Sequence, residues 1–201
     1  MTEMEIIVGT NNQGKLQEMQ SAYPKDQIRF VSYVDYTNKE YEVAETGKTY
    51  AENALLKARF YAKIVGKPVL ADDGGLEIKA FPTLLGVETA RFFKAGMNDS
   101  EKNQQLFELF EGQPSLTRAI SLNAVLVYAW PNGESLISGQ ELKGELTTKE
   151  VGEMGYGFDK IFYLPKKHTT LAQLPKAQRN DLSPRVSALK QLIEQLKEQP
   201  R

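Results

Sequence analysis

The stretch from Glu45 to Leu76, ETGKTYAENALLKARFYAKIVGKPVLADDGGL, constrains the fold more than any other part of the chain. It reads as a loop carrying an acid, a capped helix, a short buried strand and two adjacent acids at the strand's end. Thr49-x-x-Glu52 is spelled as a capping box, in which the threonine oxygen takes a first-turn amide proton and the glutamate reaches back. Behind it Ala51, Ala54, Leu55, Ala58, Ala62 and Val65 fall on one side of a helix. Asn53 and Lys57 stand at i, i+4 along one edge of that apolar stripe. A lysine there keeps its stem on the core and its head in a cleft. After Gly66 and Pro68, Val69-Leu70-Ala71 is too short for a helix and is predicted as a buried strand.

That strand runs into Asp72-Asp73-Gly74-Gly75. Side chains alternate along a strand, so only one of two successive carboxylates can face a given cleft. Composition alone fits a surface turn equally well. Glu45, Lys57 and a Gly-Lys loop upstream favour a site: carboxylates beside lysines suit Mg²⁺ plus a polyphosphate, because Mg²⁺ takes few protein ligands and shares substrate oxygens. The upstream loop is Gly9-Thr10-Asn11-Asn12-Gln13-Gly14-Lys15, between a strand at Glu5 to Val8 and a helix predicted from Leu16 to about Ala22. Strand, glycine-bearing loop and helix form a phosphate cradle, with backbone N–H groups and a lysine facing an anion. The spelling matches G-x-x-x-x-G-K, but Leu16 stands where a P-loop needs Ser or Thr on Mg²⁺, which disfavours that class. A plain strand-to-helix turn requiring Gly14 is the alternative.

Downstream, a second strand is predicted over Ile28 to Tyr33 and a polar connection over Asp35 to Val43. Leu76-Glu77-Ile78 resumes the sheet. Residues 80–97 are irregular and include Arg91, which suits either a phosphate contact or an internal stack or pair. A helix capped by Asp99 or Ser100 reaches Glu111, with Gly112 placed to end it. Ala119 to Trp130 and Ser135 to Leu142 read as a hairpin turned by Pro131-Asn132-Gly133. In Gly152 to Phe162, Tyr156 and Phe158 point to opposite sides if extended. One of them can stack on a flat ligand such as a nucleobase, or both can pack on the hairpin. The last helix takes Ser183 as N-cap and Pro184 as its first residue, with Arg179 and Arg185 flanking its start. Those arginines can hold an anion or a base edge, or be solvated loop ends.

Composition narrows the function. A net charge of −1 gives no bulk attraction to nucleic acid or an anionic membrane. With no cysteine there is no thiolate chemistry, and the single histidine, His168, reads as a surface residue. No apolar run approaches a membrane span and Met1 to Met4 begin no signal peptide, so a cytoplasmic location is expected. At 201 residues the chain fits one domain, or two lobes sharing a core.

Taken together, the motifs resemble the inosine triphosphate pyrophosphatase family, the non-canonical purine nucleoside triphosphate pyrophosphatases, nearly end to end. The resemblance rests on T-x-N-x-G-K at Thr10 to Lys15, E-T-G-x-T-x-x-E-N-A-x-x-K-A-R at Glu45 to Arg59 and A-D-D-x-G-L at Ala71 to Leu76. It continues through A-R-F at Ala90 to Phe92, G-x-G-x-D-x-I-F at Gly155 to Phe162 and L-S-x-R at Leu182 to Arg185. It implies an α/β fold, a long twisted mixed sheet flanked by helices in two lobes with a central cleft, residues 1–201 forming a single domain. It also implies a homodimer that uses Mg²⁺ to hydrolyse inosine, deoxyinosine and xanthosine triphosphates to the monophosphate and pyrophosphate, cleansing the nucleotide pool.

Residue by residue, the resemblance puts Thr10, Asn12, Lys15 and Lys57 on the triphosphate, with Asn11, Gln13 and Gly14 of the same loop, Gly74 and Arg91 beside them. Glu45 and Asp73 match the metal-binding acids, and Asp73 the base for the attacking water. Gly155, Tyr156, Gly157, Phe158 and Asp159 match the base-stacking segment, and Arg185 the base-recognising arginine. Several positions depart from the family pattern, including Leu85, which stands for a proline before Gly86. A serine is replaced by Gly74, the two aromatics around Gly157 are exchanged, a base-contacting lysine is Arg179, and a histidine is Pro184. The phosphate half is nearly intact and the base-reading half is altered. A same-fold hydrolase of another modified nucleotide, or a catalytically weak nucleotide-binding protein, are therefore the alternatives. The intact Glu45, Lys57 and Asp73 argue against the last.

Overall fold

A strand, a helix and a parallel strand open the chain, as the alternation of apolar runs and turns requires. The computed structural model describes residues 4–24 and 26–199. β1 (Met4–Val8) and β2 (Ile28–Ser32) pair in parallel from Met4 opposite Ile28 to Val8 opposite Ser32, with α1 (Gln13–Ala22) between them. The chain continues through α2 (Val34–Thr37), α3 (Tyr50–Val65), β3 (Val69–Ile78), α4 (Thr89–Phe92) and α5 (Asp99–Glu108). It ends with β4 (Ala119–Ala129), β5 (Ser135–Leu146), β6 (Phe162–Leu164), β7 (Thr169–Thr170), α6 (Lys176–Leu182) and α7 (Pro184–Glu198). The strands form one sheet in the order β2-β1-β3-β4-β5-β6-β7. β3 joins β1 in parallel, while β6 runs antiparallel to both β5 and β7, so the sheet is mixed and the fold is α/β.

β3 overturns the surface-turn alternative for the acidic pair. It is one ten-residue strand through Asp72-Asp73-Gly74-Gly75, and both aspartates are buried. A strand tolerates them because cations inside the protein, rather than water, answer their charge.

The chain divides into two compact units. One comprises Met1–Gly74, Ala124–Gln140 and Ser183–Arg201; the other comprises Gly75–Asn123 and Glu141–Leu182. In the first, Ile6, Val8, Leu16, Met19, Leu70, Leu126, Leu189 and Leu192 form one core. Ala54 and Ala58 of α3 pack separately against Ala71, Val127 and Ala129, and their small side chains let the helix lie close to the strands. The second unit has its own core around Leu76, Ile78, Leu106, Ile120, Ile161 and Phe162.

Helix ends refine the expectations. Thr49 Oγ1 accepts the Glu52 N–H, but the Glu52 carboxylate takes the N–H of Lys48, so the predicted box closes one residue early. α1 starts at Gln13 rather than Leu16, because the Asn12 side chain accepts the Lys15 N–H and caps the helix there. The polar connection after β2 contains α2. α5 is capped by Asn98, not Asp99 or Ser100, in a complete box with Glu101, and it stops at Glu108. α7 begins as predicted, with Ser183 accepting the Val186 N–H and Pro184 in the first turn. The expected fraying of the last residues falls partly on Pro200 and Arg201, outside the described residues, while Lys197 and Glu198 remain in α7.

Candidate active site

The loop after β1 is shaped by its own side chains. Thr10 Oγ1 accepts the Asn12 N–H at 3.1 Å, and Asn12 Oδ1 in turn caps Lys15. Gln13, Gly14 and Lys15 thus form the first turn of α1 instead of extending the loop. Leu16 enters the core, which is why a hydroxyl for a P-loop metal has no place here. Asn11 turns away from this run: its Nδ2 donates to the Tyr41 carbonyl at 2.9 Å, and its Oδ1 accepts the Tyr33 hydroxyl at 2.5 Å. Tyr33 also accepts the Tyr41 N–H, and the Tyr61 hydroxyl donates to the Tyr41 carbonyl. This knot ties the loop after β1 to the segment leading to Glu45. The side chain of Asn11 therefore serves structure, leaving its backbone for any anion.

The two aspartates of β3 face different partners, as strand alternation predicts. Asp72 Oδ2 receives Lys15 Nζ at 3.0 Å and Arg185 Nε at 3.0 Å. Arg185 Nη1 also meets Glu18 at 2.5 Å, and the Ser183 hydroxyl donates to the same carboxylate. On the other side Lys57 Nζ lies 2.5 Å from Glu45 and 3.5 Å from Asp73 Oδ1. Gly74 follows as the next residue of the strand.

Charge and burial act on these groups in opposite senses. Burial pushes Asp72 up, but Lys15, Arg185 and Lys57 outweigh it and hold the carboxyl far below the usual range. Burial pushes Asp73 up as well, and Glu45 adds to this, so the pull of Lys57 and Asn53 leaves it above its ordinary value. Burial draws the Lys15 ammonium down, helped by Arg185 and Lys57. Burial also draws Lys57 down, but Asp72, Asp73 and Glu45 together raise it. Adjacent acids with pKa values driven apart stand in different environments: Asp72 anchors cations, while Asp73 lies under burial and Glu45 on one side and the pull of Lys57 on the other.

Among the described residues, no group of three or more His, Cys, Asp or Glu side chains is gathered to hold a metal ion. Glu45 and Asp73 are nonetheless a fitting pair for Mg²⁺, since two hard carboxylates from separate segments converge at Lys57, 2.5 and 3.5 Å from its Nζ. Such an ion would complete its shell with water and phosphate oxygens and supply charge neutralisation.

In the second unit the Gly155–Asp159 segment is a tight turn. Asp159 Oδ2 accepts the Tyr156 N–H at 3.1 Å, and Asp99 Oδ2 accepts the Gly157 N–H at 2.6 Å. Gly155 has φ +88°, and a Cβ there would lie 2.0 Å from Asp159 Oδ2, so no other residue fits. Tyr156 is 55% exposed, whereas Phe158 packs beside Phe93 and the core of this unit. The two aromatics separate, and the alternative in which both pack away does not hold. Arg179 lies 3.7 Å from Asp159 and donates to the Leu174 carbonyl at 2.7 Å. Arg91 pairs with Glu88 at 2.7 Å, the internal pairing weighed against a phosphate contact.

Sequence reading missed Asp72, Glu18 and Asp99 as partners, and the tyrosine knot. The i, i+3 spacing of Lys15 and Glu18 on one helix face was the available signal for Glu18. Nothing in the local sequence connects Asp99 to Gly157, 58 positions apart.

Comparison with known proteins shows the family. The dITP/XTP pyrophosphatase of Geobacillus kaustophilus is 34% identical over 96% of this chain and 95% of the relative. That of Coxiella burnetii is 35% identical over 94% of each. Among solved structures, a HAM1 protein from Coxiella burnetii superposes with a TM-score of 0.86 at 35% identity, covering 98% of this chain and all of that one. The Staphylococcus aureus Ham1 protein gives a TM-score of 0.83 at 32% identity, covering 96% and 98%. The model of the Ham1 family matches residues 6–195, nearly the whole of the strand, helix and site framework described above, and the chain belongs to that family.

Proposed function

We propose that this protein is a Mg²⁺-dependent nucleoside triphosphate pyrophosphohydrolase acting on inosine, deoxyinosine and xanthosine triphosphates. The observation that carries the reading is the division of the acids in β3. Asp72 is bound up by Lys15 and Arg185, while Asp73 stands with Glu45 and Lys57 and keeps an unpartnered oxygen. The relatives named dITP/XTP pyrophosphatase support the substrate class.

In this reading Lys15, Lys57 and the N–H groups from Thr10 to Lys15 take the triphosphate. Asp73 orients the water that attacks the α-phosphorus and accepts its proton. Glu45 and Asp73 would hold Mg²⁺, which offsets charge on the phosphates. Tyr156 offers a stacking face for the base and Arg179 a donor to its polar edge; a base-reading role for Arg185 follows from the family pattern alone. The two units act as the lobes of one pyrophosphatase domain. The protein works as a cytoplasmic homodimer; no helix of the described residues is long and apolar enough to cross a membrane. Pyrophosphate release across a panel of canonical and deaminated triphosphates tests the activity, and sedimentation tests the dimer. Failure to release pyrophosphate from any deaminated purine triphosphate removes the proposal.

Two expectations follow from this reading. Lys57→Ala leaves Glu45 and Asp73 without the cation between them, so affinity for a non-hydrolysable triphosphate should fall at least tenfold. Titration against wild type, with melting curves as control, checks this; unchanged affinity would make Lys57 a structural lysine only. Pro184 has no N–H or side-chain donor, so one hydrogen bond that relatives use to read the base is lost. Discrimination of inosine over adenosine and guanosine triphosphates should then be narrower than in relatives, and Pro184→His should widen it. Measuring kcat/KM for each nucleotide decides this, and unchanged ratios in Pro184→His count against it.

A further inference from the structure

Asn53 is fully buried on α3, one turn before Lys57 on the same face. Its Oδ1 accepts the Gly47 N–H at 2.7 Å. A Cβ at Gly47 would come within 2.6 Å of that oxygen, so only glycine lets the loop bearing Glu45 approach this closely. The bond also settles the orientation of the amide: its acceptor end points to the loop, which leaves Nδ2 for the carboxylate of Asp73 in β3, on which Asn53 acts. α3 lies tight on that strand, since the adjacent Ala54 and Ala58 pack against Ala71. There the Asn53 amide faces the Asp73 carboxylate and acts on it as a donor, drawing its pKa down. Asn53 Nδ2 and Asp73 Oδ2 are nevertheless both buried without a completed hydrogen bond. A buried donor and a buried acceptor on packed neighbouring elements are costly to leave apart. Catalytic hydrogen bonds are often long before substrate binds and tighten in the complex.

We propose that Asn53 is a positioning residue for Asp73, its amide donating to the inner oxygen Oδ2 so that Oδ1, on the Lys57 side, is presented to the reacting water. This rests on the reading of Asp73 as the proton acceptor. The two ends of Asn53 then have separate tasks: Oδ1 anchors the Glu45 loop and Nδ2 orients the base. Neither Glu45 nor Lys57 can do the second, as the first repels the carboxylate and the second meets its other oxygen.

Asn53→Asp keeps an acceptor for Gly47 and replaces the donor by a carboxylate that repels Asp73, so it reverses the proposed contact while leaving the loop anchor in place. We expect kcat for inosine triphosphate to fall at least tenfold with KM changed less than threefold and the melting temperature within a few degrees of wild type. Tripolyphosphate affinity, measured by calorimetry without nucleotide, should remain within a few-fold. In an Asp73→Asn background the same change should cost less than twofold, because a residue acting only through Asp73 has nothing left to orient. Should Asn53→Asp fail to fold, the cycle is run with Asn53→Ala. Equal losses in both backgrounds, or a loss confined to KM, would overturn the proposal. A wild type active on inosine triphosphate, an inactive Asp73→Asn and an unimpaired Asn53→Asp would overturn it alone. Near-normal turnover in Asp73→Asn would instead remove the reading of the site on which it rests.

Discussion

Asp73→Asn is expected to lower turnover of inosine triphosphate by on the order of a hundredfold or more at saturating Mg²⁺, with the fold intact. The side chain is nearly unchanged in size, so packing against α3 survives, while the charge and the proton-accepting lone pair are lost. Two consequences compound. Lys57, 3.5 Å away, loses one of the three carboxylates that answer its charge and is left with Glu45 and Asp72. The carboxylate, its pKa raised by burial and Glu45, is also the group that the proposed mechanism uses to take a proton from water. A neutral amide can do neither. Turnover by pyrophosphate release, with circular dichroism and a melting curve for each protein, is the measurement. Near-normal turnover in the variant would take Asp73 out of the mechanism and leave Glu45 as the only carboxylate on that side.

How far the sequence foretold this arrangement depended on the range of the forces involved. α3, α7 and β1 were legible because apolar periodicity and caps are local: Thr49, Ser183 and Pro184 sit where their side chains or rings must begin a helix. Alternation along β3 was enough to put Asp72 and Asp73 on different sides. Their partners were not legible, because an ion pair between residues 113 positions apart, such as Arg185 with Asp72, leaves no local trace. The acidic pair itself invited a turn, since Asp and Gly prefer one when solvent answers their polar groups. The strand wins because Lys15, Arg185 and Lys57 supply that answer from inside the protein. Helix starts slipped by one to three residues for a related reason. Asn12 caps α1 ahead of Leu16 and Asn98 caps α5 in place of Asp99 or Ser100, and which side chain caps depends on the direction from which the chain arrives. The segment around Tyr156 stood out by its glycines but not as a tight turn, because the carboxylate of Asp99 that holds it comes from α5.

Asp72→Ala should destabilise the first unit by about 3–5 kcal/mol, because it strips the counter-charge from a buried set of cations. Asp72 is 2% exposed and accepts Lys15 and Arg185 on one oxygen. Without it Arg185 retains Glu18, but the Lys15 ammonium is left close to Arg185 and Lys57, both of like charge. The loss should therefore reach beyond stability: Lys15 and Arg185 would no longer be held from the same point, and affinity for triphosphates should drop with it. The pH dependence gives a sharper test. The folded pKa of Asp72 lies below its unfolded value of about 3.9, so its contribution is fully present above that value. As pH falls below about 4 the unfolded chain binds the proton first, and the contribution drains away toward the folded pKa. Chemical denaturation of wild type and Asp72→Ala should consequently show a wide stability gap at neutral pH that narrows in acid. A gap that stays constant from neutral pH to roughly pH 3 would mean that packing, and not the buried charge, makes Asp72 indispensable to the first unit.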